Sequence, residues 1–187
     1  MLLPGLKGRP RQSHHGQIVH GQLTSVAIVI SEDGRYFVEG GSMRRDFWFH
    51  HPFRVRYSEV DAQAVVFNAH YLTYFDTAIT EYFRALGYDY LGEVARTGVD
   101  FHLVRSVVEY KAPIRFDEEV DVCVRVARIG RSSITLALAI FAKGSDDLRS
   151  TGEIVWVCTD QRTHSSVAVA EPLRALIASR EKALAQA

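Results

Sequence analysis

The segment VRYSEVDAQAVVFNAHYLTYFD, residues 55–76, changes its periodicity once, and the change decides the fold. At its start Phe53, Val55 and Tyr57 alternate with Arg54 and Arg56, the period-two pattern of a strand with one face buried. Residues 58–61 then read as a turn. From Asn68 to Leu86 the apolar positions 71, 72, 75, 78, 79, 82, 83, 85 and 86 follow helical spacing, with Thr73, Asp76, Thr77, Thr80 and Arg84 on the opposite face. Asn68 stands where a side chain could cap the first turn, and Gly87 where the helix can end. Glu81 and Arg84, spaced i,i+3, should pair on its surface.

Downstream, Phe101–Tyr110, Glu119–Ile129, Ser133–Ala142 and Gly152–Asp160 carry alternating β-branched and aromatic residues and read as strands. Val120, Val122, Val124 and Val126 share one face. Gly130 and Arg131 make a tight hairpin, residues 144–147 join the next pair, and a helix from about Pro172 to Ala185 closes the chain. One long helix followed by an antiparallel meander predicts an α+β domain whose curved sheet wraps the helix, because each must cover the other's apolar face.

Upstream, residues 1 to about 22 lack apolar periodicity and read as a flexible tail. Val26–Ile30 and Tyr36–Val38 flank Asp33-Gly34, as in a short hairpin. Gly40, Gly41 and Ser42 read as a linker ahead of Met43, so residues 1–42 are a candidate leader. The division expected is a tail with its hairpin over 1–45 and one domain over 46–187.

With 187 residues and 22 basic against 22 acidic side chains, the net charge is zero, which removes any global pull toward nucleic acid or an acidic membrane. No apolar run approaches the roughly 18–20 residues that span a bilayer. Cys123 and Cys158 lack paired spacing and fit a reducing, cytoplasmic compartment as inert packed thiols. The eight histidines are scattered, so no metal site is expected.

Together with residues 108–117 (VEYKAPIRFD), 129–133 (IGRSS) and 153–160 (EIVWVCTD), the opening segment resembles the hotdog-fold acyl-CoA thioesterases of the 4-hydroxybenzoyl-CoA thioesterase type, over roughly Phe49 to Ile177. Residues 59–66 are similar to that family's D-x-D-x-x-G-x-V signature, with Glu59 in place of the first Asp and Ala64 in place of the Gly. The resemblance implies a hotdog fold, a long central helix wrapped by a curved antiparallel sheet, in protomers that pair as homodimers or homotetramers with sites between them. It implies hydrolysis of an acyl-CoA to a free acid and coenzyme A, with no cofactor.

A thioester hydrolase must activate a nucleophile and hold the oxyanion that develops. The resemblance gives the first task to Asp61, as nucleophile or as general base. The second falls to the unpaired amides that open a helix, here near Asn68. Without the resemblance, Asp61 would be read as a turn residue bonded to its own backbone. Asp76, on the polar helical face, is the reserve carboxylate. His70 is read as a half-exposed helix histidine. Val66, Phe67 and Tyr71 are the expected substrate contacts, with Arg131, Ser132 and Ser133 as the best of several basic positions for the phosphates; Arg105, Lys111 and Arg128 are the others. Tyr74, Phe75 and Phe101 could serve core or pocket. Alternatives are an acyl-carrier-protein thioesterase and a regulatory hotdog that binds acyl-CoA without cleaving it.

Overall fold

A computed structural model describes residues 28–30, 36–38 and 43–181. The chain divides into two compact units, Met1–Gly40 and Gly41–Ala187. In the first, β1 (Ile28–Ile30) pairs antiparallel with β2 (Tyr36–Val38), as the hairpin reading expects. The Asp33-Gly34 turn, the expected flexible tail over 1–22 and the linker at 40–42 lie outside the described residues.

The second unit carries β3 (Phe49–Arg54), α1 (Ala69–Ala85), α2 (Tyr90–Thr97), β4 (Val99–Tyr110), β5 (Glu119–Ile129), β6 (Ser133–Ala142), β7 (Leu148–Asp160) and α3 (Glu171–Arg180). Its five strands form one antiparallel sheet in the order β3-β5-β6-β7-β4. The β5–β6–β7 part is the expected meander, closed by Gly130 N–H donating to the Ser133 carbonyl at 2.8 Å and by Gly144 at φ 71°. Val120, Val122, Val124 and Val126 are all buried against α1, which presents Tyr71, Tyr74, Phe75, Ala78, Ile79, Tyr82 and Phe83 to the sheet. The helix-on-sheet α+β architecture is the one the resemblance implies.

Several local readings need correction. Pairing of β3 stops at Arg54, so Val55 is buried but Tyr57 is 80% exposed. The cause is a 3-10 turn over Tyr57–Glu59 that rotates the side chains out of the strand's alternation. Leu72, expected on the buried face of α1, is 38% exposed, and Tyr74 is buried in its stead. The buried stripe is centred closer to position 75 than the apolar spacing suggested. Tyr74 and Phe75 are therefore core, and Phe101 packs against that core, half-buried. α2, not expected, is an eight-residue helix capped by Asp89 accepting from Gly92 N–H and ended by Gly98 at φ 67°. α3 ends at Arg180; residues 182–185, the last part of the expected final helix, lie outside the described residues.

The approach of helix to sheet is set by Gly152 on β7. A Cβ built there would lie 2.4 Å from Cε2 of Phe75, a side chain with no exposure. Gly152→Ala should therefore cost about 1–3 kcal/mol, the range for overpacking a filled core. Chemical denaturation should show a lower midpoint with an unchanged slope.

Candidate active site

The turn between β3 and α1 closes on itself. Asp61 N–H donates to the Val65 carbonyl and Ala64 N–H to the Asp61 carbonyl, both at 2.9 Å, while Val60 bridges Val66. So short a loop forces Ala64 to φ 60°, the left-handed region that a glycine would enter without cost. The residue in the glycine's place thus adopts the glycine's conformation.

Glu59, only 6% exposed, anchors this turn. One carboxylate oxygen accepts from the Tyr74 hydroxyl at 2.7 Å and from Arg56 N–H at 2.8 Å; the other meets Arg56 Nε at 3.2 Å. Its carbonyl accepts from Phe67 N–H at 2.9 Å. Burial, and then the bond to the Glu59 carboxylate, push the Tyr74 phenol well above its ordinary value. The turn is thereby tied to the helix it precedes.

Two residues on, Asp61 is half-buried, and one of its carboxylate oxygens accepts from Gln63 N–H at 2.8 Å. The local turn bond and a place in a cavity coexist. Asn68 occupies the position before the helix but not as a cap: its backbone is helical, at φ −52° and ψ −34°, and its side chain bonds no amide. The first amides with a backbone acceptor are those of His70, to Phe67 at 2.9 Å, and Tyr71, to Asn68 at 3.4 Å. Among the described residues the amides of Asn68 and Ala69 have no acceptor, so the positive end of α1 is open.

Asp61 and Asn68 both line a cavity of about 510 Å³. Asp61, Gln63, Val65, Val66, Phe67, Asn68 and Tyr71 line one side; Tyr110, Lys111, Ala112 and Pro113, which follow β4, line the other. The second wall is held from behind by Arg149. Its carbonyl accepts from Lys111 and Ala112 N–H at 2.9 and 3.1 Å, and its guanidinium donates to the Pro113 carbonyl at 2.6 Å. Across the cavity the Tyr71 and Tyr110 rings meet edge to face at 4.8 Å, and the Tyr110 hydroxyl stands 3.4 Å from the Asn68 carbonyl.

Asp61, Asn68, Val66, Phe67 and Tyr71 are brought together here. Asp76 is not: it is exposed on α1 and outside the lining. Nor are Arg131, Ser132 and Ser133, which form the hairpin at the far end of β5. There the Arg131 carbonyl accepts from Val169 N–H at 2.8 Å and Ser132 from Cys158 N–H at 2.8 Å. His70 is half-buried beside Phe67. Of the basic positions only Lys111 reaches the lining, paired with Glu109 at 3.0 Å; Arg105 pairs with Glu153 on the sheet. Burial pushes the Cys123 thiol up to about 12 and Cys158 up to about 11, as inert packed thiols require. Apart from Lys111, the wall of Tyr110 to Pro113 escaped the sequence reading.

Residues 55–177 match the family model described as "Thioesterase-like superfamily". The acyl-CoA thioester hydrolase YbgC of Escherichia coli O6:H1 is 29% identical over 112 residues, covering 60% of this chain and 82% of that protein. The acyl-CoA thioesterase YbgC of Haemophilus influenzae is 29% identical over 89 residues, 48% of this chain and 65% of its own. Among solved structures, the PA5185 protein of Pseudomonas aeruginosa superposes with a TM-score of 0.66 at 30% identity, covering 74% of this chain and 95% of that one.

Relief of the left-handed alanine is measurable. Left-handed backbone costs a non-glycine residue about 1–2 kcal/mol, and glycine's greater freedom in the unfolded chain returns about 0.4–1 kcal/mol of that. Ala64→Gly should raise stability by about 0.5–1 kcal/mol in equilibrium unfolding.

Proposed function

The chain belongs to the Thioesterase-like superfamily, and on that premise we propose that it hydrolyses acyl-CoA thioesters to a free carboxylic acid and coenzyme A, with Asp61 as general base. The observation that carries the reading is one cavity lined by both Asp61 and Asn68, the residue at the open start of α1. A water beside Asp61 gives up a proton to the carboxylate as its oxygen attacks the acyl carbon. The carbonyl oxygen, gaining negative charge, is received by the amides of Asn68 and Ala69. The carbon–sulfur bond then breaks, the carbonyl re-forms, and the coenzyme A thiolate leaves to take up a proton. No cofactor enters this sequence of steps.

One Asp61 oxygen is fixed by Gln63 N–H, which leaves the other to orient water. Asp76, exposed and away from the lining, is the reserve. We expect Asp61→Asn to keep the fold and lose about 10²-fold or more in kcat, the scale of a removed proton acceptor. Asp76→Asn should stay within a few-fold. The measurement is thiol release from a panel of acyl-CoAs beside the same acyl groups on carrier protein. Binding without release would make the protein a sensor, and an acyl-enzyme on Asp61 detected by mass spectrometry would make that residue the nucleophile.

The same proposal includes a homodimer. β4 is an edge strand of twelve residues with Leu103 56% and Val104 59% exposed, a length and character that natural sheets seldom leave unpaired. Antiparallel pairing of two β4 strands sets the Val99 end of one beside the Tyr110 end of the other. His102 pairs with Val157, and Val157 with Ser133. The pairing would therefore bring a second copy's 131–133 hairpin level with the cavity, where the expected phosphate contacts belong. Charges at the join, Leu103→Glu with Val104→Glu, should shift a dimer to monomer in sedimentation velocity and reduce turnover with it. A wild-type chain that sediments as a monomer at assay concentration would end this part of the reading.

Among the described residues no helix is long and apolar enough to cross a membrane. We place the protein in the cytoplasm on the two buried thiols, which suit a reducing compartment.

A further inference from the structure

Three tyrosines of α1 are buried, and two give their hydroxyls to carboxylates: Tyr74 to Glu59 and Tyr82 to Glu181, each at 2.7 Å. Tyr71 is the exception. It is 3% exposed, yet its hydroxyl has no hydrogen-bond partner among the described residues. Nor is it one of the sealed polar atoms left without a partner, which are the Nε atoms of Arg44, Arg125 and Arg149. A buried side chain that lines a cavity, with a hydroxyl neither bonded nor sealed, opens that hydroxyl to the cavity.

Where it opens follows from helix geometry. Side chains on an α-helix lean back toward its N-terminus, so the Tyr71 phenol lies over the turn that begins at Asn68. Its ring meets that of Tyr110 edge on at 4.8 Å, and the Tyr110 hydroxyl marks the Asn68 carbonyl at 3.4 Å. The free donor therefore lies toward the opening turn of α1, in the cavity that Asp61 and Asn68 also line. Buried hydroxyls are almost always paired, and an unpaired one facing a cavity is a donor waiting for an acceptor.

We propose that the Tyr71 hydroxyl is a further catalytic group, donating a hydrogen bond to the acyl carbonyl oxygen beside the amides of α1 and strengthening it as negative charge gathers there. The inference rests on the hydrolase reading above and assigns one of its donors. Burial, reinforced by the neighbouring Tyr110, raises the Tyr71 phenol above its ordinary value, and the Arg149 charge offsets only part of this. The group thus remains a protonated donor through neutral and mildly alkaline pH.

Tyr71→Phe removes the hydroxyl and keeps the ring against Tyr110. On a variant that melts like wild type, kcat and KM are measured for two acyl-CoAs, one with a plain alkyl chain and one with an oxygen substituent on the acyl group. The expected result is a fall in kcat of about 10²-fold for both, as when one oxyanion donor is lost, with KM changed less than about threefold. An unchanged kcat would overturn the assignment, and so would a loss confined to the oxygen-bearing substrate, which would make Tyr71 a reader of the acyl group. Wild-type protein that cleaves neither substrate would remove the hydrolase reading and this one with it. Should Tyr71→Phe not fold, a fluorinated tyrosine at 71 gives the readout: the alkaline fall in kcat should move to lower pH, and a fixed pH profile would overturn the assignment.

Discussion

The Glu59 carboxylate is the constraint on which the rest of the site depends. Burying a carboxylate is costly unless every oxygen is satisfied, and here Tyr74, the Arg56 amide and the Arg56 guanidinium supply the bonds. Satisfying it requires the 3-10 turn to sit against the second turn of α1 and nowhere else. Once it does, Asp61 must follow on a closed loop and Asn68 must begin the helix, so the two residues line one cavity. The signature position that departs from the family's aspartate therefore builds the site without facing the substrate.

A second buried carboxylate holds the other end of the same helix. One oxygen of Glu181, just past α3, accepts from the Tyr82 hydroxyl, Trp48 Nε1 and Val126 N–H. α1 is thus fastened near its start through Tyr74 and near its end through Tyr82, while Gly152 lets Phe75 press into the sheet between them. Hydrophobic burial alone would permit the helix to slide or roll on a face of similar valines. The two tyrosine–carboxylate bonds remove that freedom, because any shift strands a buried charge. A catalytic group on a loop needs such a fixed scaffold, since small displacements of a donor cost much of its effect.

The sheet was legible in the sequence because its signal is local: Glu119–Ile129 and Ser133–Ala142 have the bounds that their alternation gives. The strand-to-helix switch at residues 55–76 was legible too, and with it Asp61, Asn68 and Tyr71. What escaped depended on partners distant in sequence. Tyr57 continued an alternation that the 3-10 turn ends, and that turn exists because Glu59 finds Tyr74 fifteen residues later. The wall of Tyr110 to Pro113 takes its shape from Arg149, and nothing near residue 110 announces it. α2 is short and has no buried residue, so its periodicity carries little weight. For Arg131 to Ser133 one chain gives no answer, since within a protomer the eleven residues of β5 separate their hairpin from the Asp61 end by about 35 Å at strand rise.

The turn is also where local rules of stability are broken together. A capping side chain at position 68 would contribute about 0.5–2 kcal/mol, and Asn68, a residue type well suited to capping, does not provide it. Ala64 sits in the left-handed region four residues earlier. Tyr71, three residues later, keeps a buried hydroxyl unpaired among the described residues. The regular arrangements would share a consequence: a cap would close the amides, a glycine at 64 would relax the loop that carries Asp61, and a partner for Tyr71 would occupy a donor. Strain and unmet hydrogen bonds collect where a protein must leave room for something it does not contain, and the surrounding structure has to over-determine the geometry to keep them. The Glu59 and Glu181 clamps supply that over-determination, each accepting hydrogen bonds from a tyrosine of α1 and from a backbone amide. The contrast between bonded tyrosine hydroxyls behind the helix and an unbonded one at its opening locates the ligand-facing side of the molecule.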